Sequence, residues 1–203
     1  MDLIVLAADN TIRATMEALL PRYGLLRIRP IEFEAYSHPH RDPGVFTTAQ
    51  DFLRQFLKSH RYAIAIFDCE GCGSNSAPHE IRNSLQQRLD VNGWKDRSNV
   101  VVLNPELETW VWSPSHHVAT ALGWRDFRTL KRWLVSQQFL AESEIKPRRP
   151  KEAMEAALQQ ARLPRSTAIY SKIASKIEFE NCVDNTFLEF VATLRSWFPP
   201  PPG

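Results

Sequence analysis

Apolar residues follow two rhythms along this chain. Through the first hundred residues, short apolar runs alternate with stretches of helical spacing. Residues 2–7 (Asp2-Leu3-Ile4-Val5-Leu6-Ala7) read as a buried strand. Residues 10–20 read as a helix, with Asn10 or Thr11 as its N-cap. Over residues 26–33 the positions alternate, and a second strand is expected there, interrupted at Pro30. Residues 37–44 (SHPHRDPG) look like a loop. Phe52, Leu53, Phe56 and Leu57 then mark a helix over 47–59. A continuous apolar run over 62–67 predicts a third strand, 78–89 a third helix, and the β-branched stretch 99–103 a fourth strand.

After Asn104 the strand rhythm disappears. Residues 105–112, 115–122, 127–136, 151–161, 166–176 and 186–197 all carry helical spacing. The expectation is an α/β fold, with a mostly parallel sheet flanked by helices and then a helical C-terminal part. As domains, this gives an α/β core over 1–112 and a helical extension over 113–198 packed on it. A polyproline tail over 199–203 is expected to be disordered.

Composition adds class and compartment. With 203 residues, 43% hydrophobic and 24% charged, the chain suits one generous globular domain with a helical appendage. No apolar run approaches the roughly 20 residues that span a bilayer, so no membrane partner is expected. The N-terminus lacks a basic leader region and reads as the first strand. Three cysteines, an odd number, point to the reducing cytoplasm. The net charge is only +2, but residues 145–176 hold eight basic side chains against two acids. Such a segment either attracts phosphate, as in nucleic-acid contact, or forms a solvated helix face and loop.

The chemistry concentrates where strands end. The run 62–67 stops at Asp68-Cys69-Glu70, followed by Gly71-Cys72-Gly73. If the strand geometry persists, Asp68 and Glu70 share one face, because side chains alternate with period two. Asp9 follows the first strand, and Glu106 and Glu108 follow the fourth. In a parallel sheet all five carboxylates fall along one rim. Their mutual repulsion calls for one or two hard cations such as Mg²⁺ (or Mn²⁺).

In this order the residues resemble TOPRIM-like proteins related to the overcoming-lysogenization-defect nucleases. They resemble especially small bacterial proteins found near defence genes, methylation-associated systems among them. The resemblance lies in strand–acid–helix, then an Asp-x-Glu pair, then Pro105-Glu106-Leu107-Glu108-Thr109-Trp110. It continues through Lys146-Pro147, Pro150-Lys151-Glu152-Ala153, Tyr170-Ser171-Lys172-Ile173-Ala174 and Cys182-Val183-Asp184-Asn185-Thr186-Phe187. It implies a TOPRIM-like sheet and a metal-dependent nuclease in anti-phage defence. Asp68 and Glu70 would be its paired acids, Glu106 or Glu108 the third acid, and Asp9 the first-strand acid. Lys151 or Lys172 would steady charge on the phosphate, unless they are simply solvated helix lysines. The chain departs from that pattern in Asp9 for Glu, Asn10 for Gly and Glu70 for Asp. The alternative is a non-catalytic subunit that uses the fold to bind nucleic acid or other defence proteins.

Other signals are weaker. Cys69 and Cys72 form a C-x-x-C that with Cys182 is short of a zinc set, and Cys69 is expected to point into the core. His38 and His40 share the 37–44 loop with Asp42 and could touch substrate or metal, though loop histidines are usually just solvated. His116 and His117, adjacent on one helix, cannot face one metal together. Gly71-x-Gly73 lacks the spacing of a phosphate loop and reads as flexibility beside the acids. Of Trp110 and Trp112, one is expected to pack inward and the other to form a wall or interface.

Overall fold

A computed structural model of the protein describes residues 1–176 and 184–201. Four strands form one sheet: β1 (Leu3–Ala7), β2 (Phe33–Ser37), β3 (Tyr62–Asp68) and β4 (Ser98–Leu103). Their order is β2-β1-β3-β4, and every pairing is parallel. All five residues of β1 are buried, as are Ala63 to Phe67 of β3. Continuous apolar runs are what central strands covered on both faces require. β2 lies at an edge and is only half-buried.

The helices of the core are α1 (Asn10–Leu19), α2 (Tyr23–Leu26), α3 (Arg41–Arg54) and α4 (Pro78–Leu89). Those of the C-terminal part are α5 (Glu108–Val111), α6 (His116–Ala121), α7 (Phe127–Ser136), α8 (Pro150–Gln160), α9 (Thr167–Ala174) and α10 (Asn185–Trp197). Local chemistry sets several ends. Asp9 caps α1, and Pro78 opens α4 while Glu80 accepts from the Ala77 N–H at 3.0 Å. Asp126 caps α7, accepting from the Thr129 N–H at 2.8 Å.

Chain order and sheet order together locate a crevice. The connection through α1 runs from β1 outward to β2. The connection through α3 crosses back past β1 to β3, and α4 continues outward to β4. With right-handed crossovers, α1 lies on one face and α3 and α4 on the other. In agreement, α3 packs on α4, while α1 packs against α9. The direction of travel therefore reverses between β1 and β3. α10 packs along β4, and the apolar interior runs on without a break into α5 to α10.

Several sequence expectations are corrected. The stretch 26–33 is no strand: α2 ends at Leu26, irregular chain follows, and β2 begins only at Phe33. Most of the 37–44 loop belongs to other elements, since Ser37 ends β2 and α3 starts at Arg41. Pro43 is tolerated because it sits in the first turn, where helix N–H groups have no partner within the helix. The helix expected over 105–112 shrinks to one turn in α5. Trp110 and Trp112 are both buried, so neither forms an exposed wall.

Candidate active site at the strand ends

Parallel pairing brings the ends of all four strands to one rim, and the acids gather there in two groups with different partners. β1 and β3, the strands on either side of the reversal, end next to Asp9 and at Asp68. In open α/β sheets such a switch point is where ligands bind.

Asp68 is the hub of the first group. It closes β3, and its Oδ1 accepts from the Leu107 N–H at 2.9 Å. Its own N–H donates to Asp42 Oδ1 at 2.8 Å. Burial pushes its carboxyl pKa up to about 8, with Asp42, Glu108 and Asp9 adding repulsion and the Leu107 N–H partly opposing. Asp42 stands in the first turn of α3. It is raised by burial first and by Asp9, with the Asp68 N–H and Lys151 pulling the other way. Asp9 accepts from the Thr11 and Ile12 N–H groups at 2.8 and 2.9 Å. The expected first-strand acid is therefore also the helix cap, a place the sequence reading gave to Asn10 or Thr11. Among the described residues, the second oxygens of Asp9 and Asp68 accept no hydrogen bond.

The second group is Glu106 and Glu108, both buried. Glu106 takes both the N–H and the Nζ of Lys151, at 3.0 and 3.1 Å, where α8 begins. A carboxylate at a helix N-terminus, gripped by a lysine, is well satisfied. Burial, followed by Glu108, still raises its pKa, and Lys151 opposes that rise. Glu108 accepts from Arg165 Nη2 at 3.0 Å and from the Tyr170 hydroxyl in a short hydrogen bond. Arg165 Nε donates to the same hydroxyl at 2.9 Å, and its Nη1 meets Glu155 at 3.0 Å. Burial and the neighbouring Glu108 push the Tyr170 pKa far up, so the phenol keeps its proton.

Glu70 stands apart from both groups. β3 ends at Asp68, so Glu70 does not share a strand face with it. It is exposed in the following turn, held by its N–H on the Pro105 carbonyl at 3.1 Å. Lys172 is exposed on α9 and has no polar side-chain partner among the described residues. Half of the basic segment is paired within the protein: Arg148 with Glu144, Arg149 with Glu152, Lys151 with Glu106, and Arg165 with Glu108 and Glu155. Lys146 donates to the Thr109 carbonyl at 2.8 Å.

Sequence reasoning missed Asp42 as a rim acid. Its signal was Asp-Pro ahead of a helical stretch, a helix-start pattern. It also took His38 as solvated, whereas His38 is buried. His38 Nδ1 accepts from the His40 N–H at 3.1 Å, and Nε2 meets the Thr48 hydroxyl at 3.1 Å. Burial, with His40 adding to it, lowers its pKa, so it stays neutral. A Cβ on Gly44 would stand 2.1 Å from His38 Nδ1, which is why glycine occupies this helical position. The ring thus fixes the turn that carries Asp42. Cys69 is half-buried and Cys72 buried, both free thiols, while Cys182 lies outside the described residues. The Trp110 Nε1–H donates to Asp184, the cap of α10, at 3.2 Å, which ties two of the quoted motifs together.

The donor chemistry of Asp9, Asp42 and Asp68 suits a hard cation: oxygen ligands, each oriented by backbone, repelling one another. Their spacing is looser than a finished coordination sphere. Among the described residues, no three His, Cys, Asp or Glu side chains are set to hold a metal ion. No described helix is long and apolar enough to cross a membrane. Comparison with protein-family models, curated proteins and solved structures finds no match to this chain.

Proposed function

We propose that this chain is a divalent-cation-dependent phosphoryl-transfer protein, a TOPRIM-like nuclease of bacterial anti-phage defence working at the β1/β3 switch point. The observation that carries this reading is the meeting of Asp9, Asp42 and Asp68 at the reversal of a parallel sheet, with Asp68 raised to about 8 by burial and its acidic neighbours. TOPRIM kinship and the defence setting rest on the ordered motifs from Asp9 to Phe187.

Asp9, Asp42 and Asp68 are the residues that would hold Mg²⁺ or Mn²⁺, with Glu70 exposed close by. Bound there, the ion would neutralise phosphate charge and acidify an attacking water. The rest falls to the chain itself. Asp68 would release its proton to solvent on binding such an ion, whose charge would offset the burial and the acidic neighbours that raise its pKa. Lys151 and Arg165, each about two-fifths exposed, present positive charge beside the acids for phosphate oxygens. Glu106 and Glu108 position those two cations.

The test is Mg²⁺-dependent nicking of plasmid DNA, with an RNA arm. Cleavage that disappears in EDTA and in Asp68→Asn is expected. Cleavage that survives Asp68→Asn would overturn the reading.

A second reading, a non-catalytic subunit that binds nucleic acid or partner proteins, draws on the looseness of the carboxylate ring. Calorimetric titration with Mn²⁺ separates the two: binding that Asp68→Asn abolishes counts against the second reading.

A further inference from the structure

The basic segment over 145–176 looked like the phosphate-attracting surface, yet half of its cations are spent on internal carboxylates. Charge without a carboxylate partner lies just before it: of the four basic side chains over 125–144, Arg125 pairs with Asp126, and the other three stand on α7. On α7, Arg128, Lys131 and Arg132 fall on one face by helical spacing, opposite the buried Leu130 and Leu134. Arg128 and Arg132 are exposed and make no hydrogen bond or ion pair with any described residue. Lys131 reaches the Glu142 carbonyl at 2.8 Å, which holds the following strap against the helix.

Two clefts join along this face. One, of about 430 Å³, is lined by Arg128, Lys131, Arg132 and Glu142. The other, of about 460 Å³, has Arg148, Arg149 and Glu144 in its lining. Val135 is common to both, so the clefts are neighbours. Arg148 and Arg149 keep their heads largely in solvent, with 84% and 71% of their side chains exposed, so their ion pairs yield readily to another anion. Two residues further on comes Lys151, at the acidic rim.

We propose that the α7 face and the strap over 141–149 form a docking track for a polynucleotide backbone, running from Arg128 and Arg132 through Arg148 and Arg149 to Lys151. A row of separated cations matches the repeated charge of a polymer, where a mononucleotide would need one enclosed cluster. The track deepens the phosphoryl-transfer reading by naming the surface outside the acidic rim that would hold its substrate, and rests on that reading only for where the strand leads. Binding on the track itself needs neither the metal nor catalysis.

The test is fluorescence anisotropy of a labelled 20-nucleotide probe, as single-stranded DNA, duplex DNA and RNA, in EDTA over a range of salt. Binding of at least one probe that weakens steeply with salt is expected. The Arg128→Glu/Arg132→Glu variant should lose roughly ten-fold in affinity at physiological salt, and its log–log salt slope should be shallower by about two, near one per phosphate contact. Lys58→Glu, an exposed lysine outside the track, should bind like the wild type. Should the charge reversal fail to fold, as read by circular dichroism, Arg128→Gln/Arg132→Gln takes its place with the same expected sign.

Wild-type affinity in the folded variant would overturn the proposal. So would wild-type protein that binds phosphatidylserine vesicles but none of the probes. Asp68→Asn keeps the two claims apart: it should bind probe undiminished while losing cleavage. If it cleaves, the catalytic reading fails and the track stands.

Discussion

Two sets of carboxylates share one rim, and they differ in what holds them. Glu106 and Glu108 are buried deepest, yet each has a cation and a further donor: Lys151 with its own N–H for one, Arg165 with the Tyr170 hydroxyl for the other. Asp9, Asp42 and Asp68 are only half-buried, yet their partners are neutral backbone N–H groups. A backbone donor orients a carboxylate without cancelling its charge. Burial raises the pKa of Asp68 and Asp42, and acidic neighbours add to it. Glu106 is raised by burial and Glu108 too, but Lys151 pulls it back through its side-chain hydrogen bond, its charge and its N–H. Unspent charge of this kind is what an incoming cation can use.

The largest effect is expected at Glu108. Glu108→Ala leaves the Tyr170 hydroxyl proton and Arg165 Nη2 without an acceptor inside the protein. A loss of about 3 kcal/mol is expected in urea unfolding, the cost of removing one member of a buried ion pair. A loss below about 1 kcal/mol would put Glu108 with the strained acids.

The second test is pH. Asp68 is held at about 8 in the folded protein against an ordinary value of 3.8. The folded state thus holds its proton more tightly than the unfolded state does. The stability this provides is complete below about pH 4 and is lost as pH rises through 8. In EDTA, wild type minus Asp68→Asn should show stability falling between those limits, by at most about 1.4 kcal/mol per pH unit, the slope for one proton. Parallel curves would remove the strain from the account.

The smallest effect separates two duties of Asp9. Asp9→Ala should cost about 1 kcal/mol through loss of the α1 cap. Asp9→Ser should restore most of that, because serine also caps, while Mn²⁺ binding by calorimetry stays weakened. Cation binding restored along with stability would leave Asp9 a cap and nothing more.

What the chain declares by itself is local. The apolar run of β3, the proline opening α4 and the spacing of α7 place those elements within a residue of where they lie. Parallel pairing followed from strands alternating with helices, and the common rim of Asp9, Asp68, Glu106 and Glu108 followed from that. The start of α3 was hidden because His38, Pro39, His40, Pro43 and Gly44 look like loop residues. Only the buried His38 ring against Gly44 shows why a helix begins there, and with it Asp42 joins the rim. The fate of the basic segment was hidden for another reason. Lys151 and Arg165 are oriented by Glu106 and Glu108, partners 45 and 57 positions away, and no local pattern records that pairing. The cations left free on α7 gained importance only once the others were accounted for.

If a divalent cation binds beside Asp68, its charge must lower the raised pKa of that carboxyl. Carbon-detected NMR of its side-chain carboxyl across pH, with and without Mg²⁺, reads this directly. A midpoint near 8 is expected in EDTA, with a return toward the ordinary carboxylate range when Mg²⁺ is added. A midpoint near 4 in EDTA, or one near 8 that Mg²⁺ leaves in place, would contradict it.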